Sequence, residues 1–291
     1  FQKPQTMKVI LALMASNRLN RLHFHITDDE AWRLEIPGLP ELTDVGAHRG
    51  YTLDERTYLK QFFAGDGNPR TDTGTSNGYF TREDFIDLIR TAHNMGIEVV
   101  PEIESPGHAR AAIRAMEARR LNCGDDRFRL IEDGDTSHYT SAQAFHDNIM
   151  NPALESTYRF MEKVIDEIAS MYRDAGVPLI GIHIGGDEVP RGAWDGSTAV
   201  ARLKEREHLQ TQTRVHAYYV QRIAAMLAAR HIPMHGWQEV ALDHDEDYNK
   251  SIAPVAGGVN CWSTLSRQGN GNVTDRVLLA GFPTILSNVS R

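Results

Sequence analysis

The chain has 291 residues, a formal net charge of −8, 41% hydrophobic residues and 24% charged residues. This composition is typical of a globular protein with one large domain or two small ones. The acidic charge argues against nucleic acid or an anionic membrane as a partner, because either needs a basic surface. No apolar run reaches the roughly 18 residues of a membrane span. The two cysteines, Cys123 and Cys261, cannot form a disulfide framework or a cysteine zinc site, although one bridge or two free thiols are both compatible with the sequence.

The first eighty residues predict a helix, a strand and a long irregular segment. Residues 6–18 carry apolar side chains at helical spacing. Residues 22–26 alternate strictly, as a half-buried strand does, and the polar stretch 27–30 follows directly. Residues 31–79 are rich in Gly, Pro, Thr and Asp. A segment of that length without clear elements predicts a functional insertion.

Regular patterns return at Phe80. Thr81 is followed three residues later by Asp84, which predicts a capped helix that runs to Gly96. The next strand should cover 97–100 and end at Pro101, since proline cannot donate to a sheet. An alanine-rich helix to about residue 120 and a polar loop over 121–150 come next.

The second half repeats the same alternation. Asn151 and Pro152 predict a helix start, and the elements that follow are a helix to residue 176, a strand at 179–184, a helix at 213–230, and strands at 232–235, 258–262 and 284–286. Strand and helix alternate about six times in the chain. This predicts a parallel α/β sheet, either open or closed into a barrel.

Two adjacent acids follow the strand at 179–184. The strand breaks at Gly185 and Gly186, and Asp187 and Glu188 come next. Glycines let a strand end approach a ligand closely or adopt unusual dihedral angles. Neighbouring carboxylates repel one another, so the pKa of one tends to rise, and it then holds a proton near neutrality. Such a pair suits acid–base catalysis, although an acidic turn that caps a helix is the plainer interpretation.

Other polar and aromatic side chains also come directly after strands. They are Asp28, Asp29, Glu102, Glu104, His108, Trp237, Gln238, Glu239 and Trp262. In parallel α/β folds these positions share the carboxyl edge where ligands bind. Taken singly, each has an ordinary structural explanation; the tryptophans, for example, could be core residues. Together, carboxylates and tryptophans at one edge predict a sugar site.

Several stretches of this sequence occur in the same order in one known family. They are LNRLHFHITDD (19–29), WRLEI (32–36), PELT (40–43), VPEI (100–103), PGHA (106–109), HIGGDE (183–188), GWQE (236–239) and VNCW (259–262). The chain thereby resembles the catalytic barrel of glycoside hydrolase family 20, the β-N-acetylhexosaminidases, and within it the bacterial chitobiase-like enzymes. The resemblance runs nearly from end to end.

The resemblance implies different roles for the two acids. Glu188 would be the general acid that protonates the glycosidic oxygen and then the base toward water. Asp187 would orient the 2-acetamido group of the substrate. The acetamido oxygen would attack C1, and water would open the resulting oxazolinium ion with net retention, a route that departs from the usual two-carboxylate scheme.

The resemblance also assigns roles to the surrounding residues. His108, hydrogen-bonded between Glu188 and Asp28 or Glu104, would tune the acid. Glu104 stands where the family commonly has Asp. Two tryptophans, Trp237 and Trp262, would form walls of the pocket around the acetamido methyl group.

The fold implied by the resemblance is a (β/α)8 TIM barrel. We expect residues 1–291 to form a single barrel domain with a rim insertion at about 31–79. The family's first strand should precede Phe1 and its last should follow Arg291, so we expect a segment of a longer protein. The implied substrate is a glycan or chitooligosaccharide with a terminal N-acetylglucosamine or N-acetylgalactosamine, with no metal or cofactor. The resemblance favours a periplasmic or secreted protein and leaves the oligomeric state open.

Two other functions remain open at this stage. His23 and His25 share a strand face and could chelate zinc with His231 and His235, as in a metal-dependent amidohydrolase. Against this, the pair precedes the end of its strand and the tryptophans would have no role. A carbohydrate-binding barrel without catalysis is the other alternative.

Overall fold

The computed structural model describes residues 1–62, 76–242, 244–263 and 271–287. The chain divides into two compact units. One comprises Phe1–Ile103, His108–Leu130 and Arg159–Ile180, and the other Glu104–Gly107, Ile131–Tyr158 and Gly181–Arg291. The single barrel domain expected over 1–291 stays a prediction, and residues 63–75 of the expected rim insertion lie outside the described part.

The first unit holds most of the N-terminal elements. Its helices are α1 (Pro4–Ser16), α2 (Glu41–Asp44), α3 (Arg82–Asn94) and α4 (Arg110–Cys123), and its strands are β1 (Arg21–His25), β2 (Thr27–Asp28), β3 (Ala31–Trp32), β4 (Arg49–Gly50), β5 (Leu59–Lys60) and β6 (Glu98–Ser105). The last two residues of β6 and the first four of α5 (Glu155–Ala175) belong to the second unit. The predicted insertion therefore contains short elements rather than only irregular chain.

Capping and an apolar stripe explain α3 and its packing. Thr81 accepts a hydrogen bond from the backbone N–H of Asp84, whose carboxylate accepts from the N–H of Thr81 in return. This reciprocal cap confirms the predicted helix start. Along the helix Phe85, Leu88, Ile89 and Ala92 are buried. One edge-to-face contact, 5.4 Å between ring centroids, joins Phe24 of β1 to Phe80 just before the helix.

The strand around Pro101 is longer than predicted. It runs from Glu98 to Ser105 and pairs in parallel with β1, with Pro101 opposite Phe24. The prediction of an end at Pro101 is therefore wrong. Each residue of a strand bonds to the neighbour on one side only, so proline removes one donor from the ladder and the strand continues. The extension brings Glu102 and Glu104 into the strand itself.

The second unit contains a parallel sheet with intervening helices. Its strands are β7 (Ile182–Gly185), β8 (Met234–Trp237), β9 (Ala256–Cys261) and β10 (Thr284–Leu286), and its helices are α6 (Thr198–Arg206), α7 (Gln212–Ala228), α8 (Glu246–Ile252) and α9 (Val273–Leu279). Strands β7, β8, β9 and β10 pair in that order, all in parallel. The predicted parallel α/β sheet is confirmed, and parallel pairing puts the carboxyl ends of these strands at one edge.

The helix expected at Asn151 and Pro152 begins three residues later, at Glu155. The side-chain oxygen of Asn151 accepts from the N–H of Ala153, which closes a turn, and its amide donates to Ser197 at 3.0 Å. Because asparagine bonds its own backbone in this way, it starts a turn here instead of a helix.

Candidate active site

The acid pair follows a strand end built from glycine. Gly185 and Gly186 have φ of 73° and 91°, and a Cβ on Gly186 would lie 2.4 Å from Val240 Cγ1. Glu188 also has a positive φ, 46°, which is uncommon for a residue with a side chain. Strained backbone of this kind clusters at functional sites. The packing therefore requires glycine before the pair, and Asp187 and Glu188 are half-buried in a fixed backbone.

The end of β6 supports this turn from one side. The Ser105 hydroxyl donates to the carbonyl of Ile184 at 2.9 Å, and the N–H of Gly186 donates to the carbonyl of Ser105 at 3.0 Å. Glu104 is buried against the same turn: a Cβ on Gly185 would lie 2.0 Å from its Oε2. Glu104 is thus placed beside the acid pair, within the second unit.

A residue that the sequence did not single out contacts Glu188. The side-chain amide of Gln143 donates to Glu188 Oε2 at 3.1 Å. Gln143 lies in the polar loop between α4 and α5, and the only sequence signal for it is its position in a loop that belongs to no helix or strand.

Both predicted tryptophans lie at the carboxyl ends of their strands. The Trp237 ring meets the His183 ring edge-to-face, with centroids 5.0 Å apart. Trp262 is held by its neighbours, since its main-chain N–H donates to Gln238 Oε1 at 3.1 Å and its indole N–H donates to Glu239 Oε2 at 3.3 Å. The second unit therefore brings Asp187, Trp237 and Trp262 to the same edge of its sheet.

The carboxyl group of Glu239 has an unusually high pKa. Burial, together with the charges of Asp187 and Glu188, raises its pKa to about 7. The sequence analysis placed Glu239 at a strand end but gave it no role. Part of the pKa shift comes from Asp187 and Glu188, which lie about fifty positions earlier in the sequence.

A cavity of about 820 Å³ lies next to the acid pair in the second unit. Gly186, Val189 and Glu239 line it, together with the first residues of α7. His216 of α7 also lines it, and burial and the nearby His244 lower the pKa of His216 to about 4. The cavity wall thus combines polar and apolar side chains and includes a neutral histidine.

The first unit holds Asp28 and His108 in a chain of polar contacts. His108 Nδ1 is 3.3 Å from Asp28 Oδ1 and 3.3 Å from Asp29 Oδ2. Asp28 Oδ2 lies 3.2 Å from His25 Nε2, and His25 Nδ1 lies 2.6 Å from Glu102 Oε2. Although burial alone would lower it, the bonds to Asp28 and Glu102 raise the pKa of His25 to about 10. Burial favours protonated Asp28, but hydrogen bonds from His108 and His25 outweigh it and lower the pKa of Asp28.

Possible metal ligands in this unit already contact one another. Atoms of Asp28, Asp29 and His108 lie within 4.8 Å of each other. Both ring nitrogens of His25 contact carboxylates, and an imidazole ligand must offer a neutral nitrogen to a metal. In the second unit, His231 precedes β8 and is exposed, at the strand end opposite Trp237. The contacts of His25 and the exposure of His231 give no support to the amidohydrolase interpretation.

Known proteins resemble this chain in sequence and in fold. The family model described as "Glycosyl hydrolase family 20, catalytic domain" matches residues 1–290. A beta-hexosaminidase of Vibrio vulnificus is 34% identical over 91% of this chain and 32% of its own length. N,N'-diacetylchitobiase of Vibrio harveyi is 35% identical over 99% of this chain and 36% of its own length. The crystal structure of an exo-β-N-acetylglucosaminidase of Vibrio harveyi in complex with N-acetylglucosamine has a TM-score of 0.78 at 32% identity and covers 98% of this chain and 39% of that one.

Parallel strands, a carboxylate pair and tryptophans at the strand ends are features of a glycoside hydrolase. The chain belongs to glycosyl hydrolase family 20 and corresponds to its catalytic domain. It spans about a third of the length of the curated relatives it matches. No helix in the described part of the chain is long and apolar enough to cross a bilayer. Cys123 is exposed, Cys261 is buried, and both are free thiols.

Proposed function

We propose that the complete protein is a retaining exo-β-N-acetylhexosaminidase that removes terminal N-acetylglucosamine from chitooligosaccharides or other glycans. The observation that carries this proposal is the pair Asp187 and Glu188 after a glycine turn, at the same sheet edge as two tryptophans. The family match over residues 1–290 and relatives named beta-hexosaminidase and chitobiase support it. In the complete protein this chain would supply most of a (β/α)8 barrel.

In the first step the substrate supplies the nucleophile. The carbonyl oxygen of the 2-acetamido group attacks C1 while the bond from C1 to the glycosidic oxygen breaks. Glu188 gives its proton to the departing oxygen. Asp187, as the carboxylate, accepts a hydrogen bond from the acetamido N–H and balances the positive charge of the oxazolinium ion.

In the second step the direction of proton transfer is reversed. Glu188, now ionised, accepts a proton from water as the water oxygen bonds to C1 and the oxazolinium ring opens. Two displacements at C1 give net retention. Adjacent residues on one turn can hardly act as nucleophile and acid from opposite faces of one bond, but they can steer the amide and move the proton. Asp28 and His108 remain predicted catalytic residues on the resemblance.

The test compares two chromogenic substrates with the complete protein. We expect 4-nitrophenyl N-acetyl-β-D-glucosaminide to be cleaved and 4-nitrophenyl β-D-glucoside, which has no amide, to be cleaved at least a thousandfold more slowly. Glu188→Gln and Asp187→Asn should each lower kcat by two or more orders of magnitude, and NMR should find the β-anomer first. Equal cleavage of both substrates would refute the mechanism. Binding of N-acetylglucosamine without turnover would favour the non-catalytic alternative, and the galactosamine analogue tests the second sugar.

A further inference from the structure

We propose that Glu239 is a positioning residue for this reaction, which holds the Trp262 indole in place and presents a carboxyl group to the turn that carries Asp187 and Glu188. The inference rests on the proposed function of that pair. It assigns a role to a third carboxyl group of the proposed catalytic site, in addition to Asp187 and Glu188.

The contacts of Trp262 come from two consecutive residues. Gln238 Oε1 accepts from the main-chain N–H groups of Trp262 and Ser263, at 3.1 and 3.0 Å, and is buried. Glu239 Oε2 accepts from the indole N–H at 3.3 Å. Gln238 therefore fixes the backbone of Trp262, and Glu239 fixes the rotation of its ring.

Glu239 is itself held in a short turn that cannot shift freely. The turn Gln238–Val240 follows β8 directly. Val240 packs closely on Gly186, just after β7, and on Gly236 of β8. A Cβ on Gly186 or on Gly236 would lie 2.4 or 2.7 Å from Val240 Cγ1. The same contact joins the turn to the residue just before Asp187, so the Glu239 carboxyl group has a defined place relative to the acid pair.

The groups around Glu239 come from every neighbouring element of the second unit. They are Asp187 and Glu188 after β7, Cys261 on β9, His244 before α8, and His216, Arg191 and Arg276 around the shared cavity. Burial and the two acids raise the pKa of Glu239 to about 7. Below that pH Glu239 is neutral. Above it, its negative charge opposes loss of the Glu188 proton, since like charges repel.

The variant Glu239→Gln separates the effect of the hydrogen bond to Trp262 from the effect of the charge, because glutamine keeps an oxygen acceptor for the indole but has no charge. We expect the alkaline limb of the kcat/KM profile to move to lower pH, on the order of half a unit to one unit, with KM changed less than twofold. Glu239→Leu removes the acceptor as well and should also raise KM severalfold. The matched control is Glu246→Gln, an exposed acid on α8, which should leave both quantities unchanged.

A second readout does not depend on turnover. In the complete protein labelled with ¹⁵N-tryptophan, the indole signal absent from Trp262→Phe should titrate near pH 7 and become flat in Glu239→Gln. A Trp262 signal that titrates unchanged in Glu239→Gln, or an alkaline limb that does not move, would overturn the inference. The two proposals can fail separately. If no N-acetylhexosaminide is cleaved, the proposed function is wrong. If the indole titration nevertheless disappears in Glu239→Gln, the hydrogen bond between Glu239 and the Trp262 indole is supported.

Discussion

Gln143 Nε2 donates a 3.1 Å hydrogen bond to Glu188 Oε2, across 45 positions of sequence. An amide donor on a carboxylate orients it and favours its ionised form. In the proposed mechanism Glu188 loses its proton in the first step and takes one back in the second. A fixed donor on one oxygen leaves the other oxygen to carry that proton, so Gln143 should assist both steps.

Removal of this donor should therefore slow the reaction and alter its pH dependence. We expect Gln143→Ala to lower kcat about tenfold, or about 1.4 kcal/mol of transition-state stabilisation. The alkaline limb of the profile should move to higher pH, because the ionised acid loses a hydrogen bond. Steady-state kinetics from pH 4 to 9 measure both effects, with the exposed Gln221→Ala on α7 as control. Identical profiles for the two variants would contradict the role of Gln143.

Sequence patterns predicted the elements better than the contacts between them. Hydrophobic spacing and the Thr81–Asp84 cap are local, and α3 lies where they indicate. The strand end predicted at Pro101 was wrong because the loss of one donor does not end a strand. The helix start predicted at Asn151 was wrong because an asparagine side chain can close a turn before a helix begins.

In the candidate site, too, the sequence predicted residues better than the contacts between them. The acid pair and both tryptophans could be named from the sequence because strand ends share an edge. Gln143 could not, since a loop residue carries no periodic signal. The shifted pKa of Glu239 also could not be predicted, because it depends on burial and on charges from another strand.

The contact between His25 and Asp28 should make stability depend on pH. His25, with a pKa raised to about 10, adds stability that is complete below about pH 6.5 and is lost as the pH rises toward 10. Asp28, with a lowered pKa, adds stability that is present above about pH 4 and is lost at lower pH. Partial exposure reduces the size of each effect to on the order of 1 kcal/mol.

We therefore expect His25→Gln to flatten the alkaline side of the stability curve. The Tm of the wild type should fall by about 2–4 °C more than that of the variant between pH 6.5 and 9.5. Calorimetry over that range measures it, with the exposed His93→Gln on α3 as control. Parallel curves for the wild type and His25→Gln would show that the contact contributes nothing.

Gly185 should tolerate alanine far less well than another glycine of similar backbone. Gly185 has φ of 73° and would place a Cβ 2.0 Å from Glu104 Oε2, whereas Gly176 has φ of 68° with nothing within 4 Å. We expect Gly176→Ala to cost about 1 kcal/mol for the left-handed backbone. Gly185→Ala should cost about 1–3 kcal/mol more, because buried Glu104 must move, and should also lower kcat. Urea unfolding measures the difference, and equal losses would mean that Glu104 adapts freely.

The ion pair between Arg110 and Glu55 should matter most when only one partner is removed. Arg110 donates to both oxygens of Glu55, at 2.9 and 2.6 Å, and both residues are buried. Arg110→Met leaves a buried carboxylate that, among the described residues, keeps an ion pair with Arg114 at 3.4 Å. We expect a loss of about 3 kcal/mol.

The double variant distinguishes a favourable pair from the cost of an unpaired charge. Glu55→Gln keeps an acceptor for the N–H of Lys60, which bonds Glu55 Oε1 at 2.7 Å, and removes the charge. Arg110→Met with Glu55→Gln should therefore recover at least half of the loss in urea unfolding at pH 7. A double variant as unstable as the sum of the two single variants would show no energetic coupling between Arg110 and Glu55 and would contradict the prediction.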